Sequence, residues 1–359
     1  MRRFILTPAS NWPQLLLTWF DQNRRDLPWR EKSPRDPYQV WVSEIMLQQT
    51  RTEAVKEYFA RWRQQFPTLQ ALAQASEEQV LRAWQGLGYY SRARNLHKAA
   101  QQVLVQYGGQ VPQEEKALRS LPGIGAYTAG AILSMAYGQK IPAVDGNLLR
   151  VLARLYGVDE DIAGTAGKNT LTRLAEKAIP GERPGDFNEA MMDLGAEVCI
   201  PRHPRCSLCP LTGVCQARAE GREEELPVKS KKAPQKVFYA ACALWEQEGR
   251  YLLHKRPEKG MLASMWEFPM VLEAAESAAK AGLEQLLGGR TEAAVWSHKH
   301  VFTHQIWLMT GYLLNGSQVP EGEYLWLSPE EWQRLPLAGP HAKLAEKICQ
   351  GELAPVLEF

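Results

Sequence analysis

The chain has 359 residues, 45% hydrophobic and 23% charged, proportions that exclude a disordered, collagen-like or rod-like chain and suit about two to three domains. With 42 Lys+Arg against 40 Asp+Glu the net charge is +2, which supplies no basic excess for a nucleic-acid partner. No apolar run approaches the ~18 residues that span a bilayer, and Pro8, Asn11 and Pro13 interrupt the signal-like start Met1-Arg2-Arg3-Phe4-Ile5-Leu6, so a cytoplasmic protein without a membrane partner is expected.

From Trp12 to about Ala219 the chain reads as successive helices. Asp36-Pro37-Tyr38 opens one whose apolar spacing runs from Val40 through Leu47 and on to Tyr58 and Phe59. Further helices are predicted near 77–85, 92–106, 114–120, 126–137, 147–156, 167–178 and 186–196, punctuated by glycines such as Gly86, Gly88, Gly123, Gly125 and Gly157. The stretch 223–236 is charged, carries Pro227 and Pro234, and is poor in large apolar residues, as an exposed interdomain linker would be. Beyond it the period changes. Val237–Trp245 and Tyr251–His254 read as paired strands joined by Glu248-Gly249, with more strands near 293–303, 306–313 and 323–327 and helices near 273–287 and 339–350. An all-α domain over 1–222 followed by an α+β domain over 237–359 is the expected architecture.

Four features carry chemistry. Glu44 has Val40 and Trp41 one turn before it and Leu47 one turn after, with Ile45 and Met46 adjoining. Such surroundings bury a carboxyl, burial disfavours its charged form, and a carboxyl protonated near neutral pH can act as a general acid. Leu121-Pro122-Gly123-Ile124-Gly125 lies between two helical runs, and its two glycines let backbone N–H groups approach a phosphate without reading sequence. Asp145 follows the apolar approach Ile141–Val144 and precedes Gly146 and a helical run. A carboxylate there can cap the helix or stabilise a developing positive charge.

The fourth feature is Cys199, Cys206, Cys209 and Cys215, with six, two and five residues between them. In a chain with no export signal such a group reads as a metal site, either structural zinc or an iron–sulfur cluster. The spacing is not the paired Cys-x2-Cys of zinc fingers and favours the cluster. Arg202 and Arg205, inside the longest loop of the group, are placed to balance its charge or to contact phosphate. Cys242 and Cys349 stand apart as ordinary small apolar residues.

In combination, Asp36-Pro37-Tyr38, Trp41–Thr50, Gly86-Leu87-Gly88-Tyr89-Tyr90, the glycine hairpin, Val144-Asp145-Gly146-Asn147 and the six-two-five cysteines occur in one order. In this the chain resembles the endonuclease III (helix-hairpin-helix) superfamily of DNA glycosylases, and within it the adenine glycosylases. The resemblance implies a two-lobed helical domain, with a six-helix part about 31–140 and an iron–sulfur part about 1–30 and 141–222. Cys199, Cys206, Cys209 and Cys215 would hold a [4Fe–4S] cluster. It implies a monomer of base excision repair, in a bacterial nucleoid, that flips adenine out of double-stranded DNA opposite 8-oxoguanine or guanine and hydrolyses its glycosidic bond.

By the same resemblance Glu44 protonates adenine and Asp145 stabilises the oxocarbenium-like sugar, with Tyr127 and Asn147 in support. Lyases of the superfamily carry at the position of Tyr127 a lysine that forms a Schiff base; tyrosine cannot, so no strand cleavage is expected. Trp29, Arg30 and Glu189 would line the adenine pocket. Leu47, Gln48, Gln49 and Tyr89 would probe the duplex, and Leu121, Gly123 and Gly125 would hold its backbone. The C-terminal domain resembles MutT, with Phe302, Thr303 and His304 as the 8-oxoguanine-reading segment. Segment 260–288 lacks the Arg-Glu-x-x-Glu-Glu run of active Nudix hydrolases, which argues against that activity. Two other readings remain to be weighed: a bifunctional pyrimidine glycosylase/lyase, against which Tyr127 and the extra domain speak, and a non-enzymatic, metal-stapled DNA-binding protein, which would have no reason to bury Glu44.

Overall fold

The computed structural model describes residues 11–30, 35–230 and 234–356. The signal-like start Met1–Leu6 with Pro8, and Lys231 and Lys232 of the expected linker, lie outside the described residues. The chain divides into two compact units, one of Met1–Gln74 and Asn95–Lys231, the other of Ala75–Arg94 and Lys232–Phe359. Among the described residues no helix is long and apolar enough to cross a membrane.

The first unit is helical. Its elements are α1 (Trp12–Asn23), α2 (Pro37–Leu47), α3 (Thr52–Gln65) and α4 (Leu69–Gln74). After α5 (Glu77–Ala83) and the start of α6 (Ser91–Tyr107), which belong to the other unit, come α7 (Glu115–Arg119), α8 (Ala126–Met135), α9 (Gly146–Tyr156), α10 (Thr165–Ala178), α11 (Pro184–Glu197) and the short α12 (Gln216–Ala219). Asp36 caps α2 by accepting from the Tyr38 N–H at 2.9 Å, with Pro37 in the first turn where its missing N–H costs nothing.

The expected run from Val40 to Phe59 is not one helix. It ends at Leu47, Gln49 adopts φ +58°, and α3 starts afresh at Thr52. Apolar spacing continues across the break because both helices bury their faces; Trp41, Val55, Phe59 and Trp62 are all buried. A core of Leu16 and Phe20 (α1), Leu148 and Leu152 (α9), Leu171 (α10) and Phe187 and Leu194 (α11) packs these four helices together. Trp12 Nε1 donates to the Tyr156 hydroxyl at 3.1 Å beside it.

Asn188 fastens the segment before α9. Its side chain is fully buried, accepts from the Ala143 N–H at 2.9 Å and donates to the Ile141 carbonyl at 3.0 Å and Ser134 Oγ at 2.8 Å. A Cβ on Gly130 would meet the Pro142 carbonyl oxygen at 2.6 Å, so α8 accepts that close approach only through glycine. The stretch expected as exposed linker is partly docked. Leu226 is 1% exposed, the Val228 carbonyl accepts from Ile162 N–H at 3.0 Å, and Ser230 Oγ donates to Asp161 at 2.6 Å. The low apolar content of the segment hides one buried leucine.

In the second unit β1 (Lys236–Leu244), β5 (Met270–Glu273), β6 (Arg290–Val301) and β7 (Gln305–Asn315) form a sheet in the order β5-β1-β7-β6, with β1 and β7 parallel from Lys236↔Gln305 to Leu244↔Leu313. A second sheet holds β2 (Glu246–Gln247), β3 (Arg250–Lys255) and β4 (Trp266–Glu267), with β8 (Tyr324–Leu327) paired to β3. Helix α13 (Glu276–Leu287) covers one face through Ala279, Leu283 and Leu287. Helices α14 (Pro329–Trp332) and α15 (Gly339–Gln350) cover another through Trp332 and Leu344. The hairpin predicted around Glu248-Gly249 is confined to β2 and β3, with Gln247↔Arg250 next to the turn, while β1 itself pairs with β5 and β7. Alternation identified β1, β3, β6, β7 and β8 but missed the short β2, β4 and β5, started the next helix at Glu273, the last residue of β5, and could not reveal that Trp245 separates two sheets.

Candidate active site

Glu44 sits in the last turn of α2 at 4% exposure, and the Tyr127 hydroxyl from the first turn of α8 donates a short hydrogen bond to its Oε2. Burial pushes the Glu44 carboxyl up to about 7; the carboxylates of Glu189 and Asp145 push the same way, while the Tyr127 bond and the Arg30 charge oppose. Tyr127 is raised well above its ordinary value by burial and the same carboxylates, so its phenol stays protonated and donates.

Asp145 caps α9. Oδ1 accepts from the Leu148 N–H at 2.7 Å and Oδ2 accepts from Asn147 Nδ2 at 2.8 Å. Burial raises its pKa, against which the Leu148 and Asn147 hydrogen bonds and the Arg150 charge act. Helix capping and a role in charge stabilisation are therefore compatible readings of one carboxylate. A Cβ on Gly146 would meet nothing within 4 Å, so open space adjoins the acid. Behind Asn147, Arg150 donates Nη2 to Asn147 Oδ1 at 2.9 Å and to the Gly195 carbonyl at 2.6 Å, and Nε to the Cys199 carbonyl at 2.8 Å.

Arg30 and Glu189 are brought together. Arg30 grips Asp193 with Nη1 at 2.7 Å and Nη2 at 3.1 Å, and its Nε lies 3.1 Å from Glu189 Oε1. Arg35 donates from both Nη atoms to Glu189, with Nη2 at 2.6 Å. Glu189 is 2% exposed, which rules out a solvated helix face. Trp29 is packed edge-on to Phe59 at 5.5 Å. Arg35, Asp193, Arg150 and Asn188 were not singled out from sequence. The signal for Asp193 was present: Glu189 and Asp193 stand one turn apart among Phe187, Ala190 and Leu194, and two acids buried together require cations.

Of the other expected duplex contacts in this unit, Gln48 Nε2 lies 3.4 Å from Thr128 Oγ1, Leu47 is half-buried and Gln49 is exposed. In the hairpin Leu121 is buried, Gly123 and Gly125 are exposed, and Gly123 takes φ +79° against Asn95, whose Cβ would lie 2.8 Å from an added Cβ. Arg202 and Arg205 are exposed. In the second unit, Phe302, Thr303 and His304 form the turn between β6 and β7 rather than part of a strand, closed by Phe302 N–H to the Gln305 carbonyl at 2.9 Å. The Phe302 ring rests on Trp307 at 4.8 Å and on His300 at 4.5 Å. Tyr89, 44% exposed, places its hydroxyl 2.7 Å from Thr303 Oγ1.

Cys199, Cys206, Cys209 and Cys215 line one cavity together with Arg154, Arg218 and Glu223, and none is in a disulfide. Arg154 Nη1 donates to Cys199 Sγ at 3.3 Å. Among the described residues no three His, Cys, Asp or Glu side chains are grouped to hold a single metal ion.

Residues 42–179 match the family model of HhH-GPD superfamily base excision DNA repair proteins, and residues 240–347 match that of the NUDIX domain. The adenine DNA glycosylase of Homo sapiens is 37% identical over 404 residues, spanning 94% of this chain and 73% of that protein. The adenine DNA glycosylase of Buchnera aphidicola from Acyrthosiphon pisum is 34% identical over 93% of this chain and 97% of its own length. A thermostable thymine-DNA glycosylase superposes with a TM-score of 0.52 at 31% identity, over 58% of this chain and 95% of that one. An endonuclease III–DNA complex gives 0.51 at 23% identity over 60% and 99%, a likeness of fold.

The raised Glu44 pKa has a consequence for stability. Its folded value of about 7 lies above the ordinary 4.5, so the folded chain holds the proton more tightly and loses stability as pH rises through that interval. Glu44→Gln removes this loss. Relative to the unaltered protein it should raise the unfolding midpoint at pH 8, by the equivalent of roughly 3 kcal/mol at most, and have a much smaller effect at pH 5. Denaturation of both proteins at the two pH values checks it; an equal effect at both would show that Glu44 titrates as an ordinary carboxyl.

Proposed function

This chain belongs to the adenine DNA glycosylase family, and from that premise we propose that it hydrolyses the N-glycosidic bond of adenine opposite 8-oxoguanine or guanine in double-stranded DNA. It is a DNA glycosylase with a helical catalytic domain and a NUDIX-like α+β domain. The observation that carries the reading is the pair of buried carboxyls in unequal surroundings: Glu44 raised to about 7, Asp145 held by N–H donors at a helix start. Burial raises both, but at Asp145 the Leu148 and Asn147 donors act against the rise, which favours Glu44 as the acid and Asp145 as the anion.

The adenine must first leave the stack. Glu44 then gives its proton to N7 while the C1′–N9 bond breaks with its electron pair on the base. The sugar becomes oxocarbenium-like, and the Asp145 carboxylate stabilises it across a water-poor site. Water adds to C1′ and releases a proton, leaving free adenine and an abasic sugar. Tyr127 orients Glu44, and Asn147 orients Asp145. Trp29, Arg30 and Glu189 form the adenine pocket, with the Asp193 and Arg35 pairings fixing Arg30 and Glu189. Leu47, Gln48, Gln49 and Tyr89 probe the duplex, and the backbone amides around Gly123 and Gly125 hold a phosphate, as do Arg202 and Arg205. Phe302, Thr303 and His304 read 8-oxoguanine; Thr303 supplies a hydroxyl for a hydrogen bond to the lesion.

Tyr127 also excludes the lyase route, because a phenol cannot form the imine that strand cleavage requires. Four cysteines round one cavity support a [4Fe–4S] cluster, which when bound cross-links the 199–215 loop to the core that Cys199, Cys209 and Cys215 already pack against. The protein acts in this reading as a monomer in the bacterial cytoplasm.

Incubation with a duplex carrying one 8-oxoguanine:adenine pair should give strand breaks only after hot alkali; breaks without alkali would refute the monofunctional assignment. Asp145→Asn should bind the duplex yet release adenine roughly a hundredfold more slowly or worse, and normal turnover would remove Asp145 from the mechanism. The purified protein should be coloured and hold close to four irons per chain by elemental analysis, whereas a colourless protein with one zinc would overturn the cluster.

A further inference from the structure

We propose that Arg92 is a positioning residue for Tyr89, and through Tyr89 for discrimination of 8-oxoguanine from guanine opposite the excised adenine. The proposal deepens the function given above and rests on it. Its ground is the loop joining α5 to α6, Gly86–Tyr90, which lies in the second unit together with Thr303.

Three residues of this loop have left-handed backbone: Gly86 at φ +98°, Gly88 at +71° and Tyr89 at +49°. Glycine tolerates that region. A tyrosine held there is strained, and strain of this kind persists only where neighbours over-determine it. Tyr89 is also exposed, so its own packing does not supply the restraint.

Arg92 supplies much of it. One turn into the chain beyond Tyr89, it is 9% exposed, and its Nη2 donates to the Leu87 carbonyl at 3.1 Å and the Gly88 carbonyl at 3.0 Å, the two peptide units leading into Tyr89. Trp84 Nε1 donates to the same Gly88 carbonyl at 3.1 Å. The Arg92 guanidinium lies 5.3 Å from the Trp84 ring centroid and 5.4 Å from that of Tyr89, within cation–π range of both. Its backbone N–H donates to the Tyr89 carbonyl at 2.8 Å. Burial lowers its pKa only to about 10, so the side chain is cationic at neutral pH. A planar fork that straps two carbonyls and lies against a ring is work for arginine, and a lysine point charge does not reproduce it.

What is positioned is the Tyr89 hydroxyl, 2.7 Å from Thr303 Oγ1. Thr303 is the hydroxyl assigned to the lesion, so an error in Tyr89 reaches the lesion contact directly, whereas the adenine-side chemistry of Glu44 and Asp145 is untouched by Arg92.

The test measures single-turnover adenine release by the full-length holoprotein from duplexes with 8-oxoguanine:adenine and guanine:adenine, and takes the ratio of the two rates. Arg92→Met should lower that ratio roughly tenfold, mainly through weaker saturation by the 8-oxoguanine duplex. Arg92→Lys should recover little of it, and gives the reading if Arg92→Met fails to fold. In a Tyr89→Ala background Arg92→Met should change the ratio no further, because both act through one side chain. A retained ratio, a proportional loss on both duplexes, or an additive loss in the Tyr89→Ala background would overturn the proposal. Failure of the underlying reading looks different: the unaltered protein would release no adenine from either duplex.

Discussion

The burial of one carboxyl sets the conditions for everything around it. Glu44 stands in a helix whose Val40, Trp41, Ile45 and Met46 are all buried, and is itself only 4% exposed. Two neighbouring carboxylates make ionisation harder still. The bond donated by the Tyr127 phenol and the charge of Arg30 oppose them, though Arg30 is itself engaged by Asp193. The outcome of this competition is a carboxyl balanced near neutrality, neither permanently charged nor permanently neutral. An ordinary surface glutamate would have no proton to give at neutral pH.

Asp145 is buried too, and burial raises its carboxyl as it does that of Glu44, but here hydrogen bonds act against the rise. It receives two N–H donors, from Leu148 and Asn147, at the positive end of a helix, and both favour the anion. Its support extends through Asn147 to Arg150 and from there to the carbonyl of Cys199, the first of the four cysteines. The cysteine loop and the acid are thus joined by an unbroken line of side chains. Gly195 permits this closeness, since a Cβ there would fall 2.6 Å from that of Asn147.

Local pattern made the central features legible. Glu44 was singled out because apolar neighbours at helical spacing imply burial, Asp145 because an acid before a helical run is a cap, and the cysteines because four of them fall within seventeen residues. Most helices of the first unit and the longer strands of the second followed from period, whereas the short α4, β2, β4 and β5 did not. What pattern could not show were relations between distant segments. The Arg30–Asp193 and Arg35–Glu189 pairings span 163 and 154 residues, and the parallel pairing of β1 with β7 joins strands nearly seventy residues apart. Local reading also ran two helices together at Gln49, where a left-handed residue breaks an otherwise continuous apolar spacing, and read as linker a segment whose Leu226 is buried. The small net charge was a poor guide for a related reason: a glycine hairpin and a few placed arginines can meet phosphate without any excess of basic residues.

The most direct test of the account is the titration of Glu44 itself in the folded, DNA-free protein, followed by isotope-edited infrared spectroscopy of the glutamate carboxyls, with Glu44→Gln identifying the band. The account predicts a protonated C=O band that persists above pH 6 and loses half its intensity near pH 7. Loss of that band below pH 5 would contradict it, because Glu44 would then be an anion under working conditions and could not be the acid.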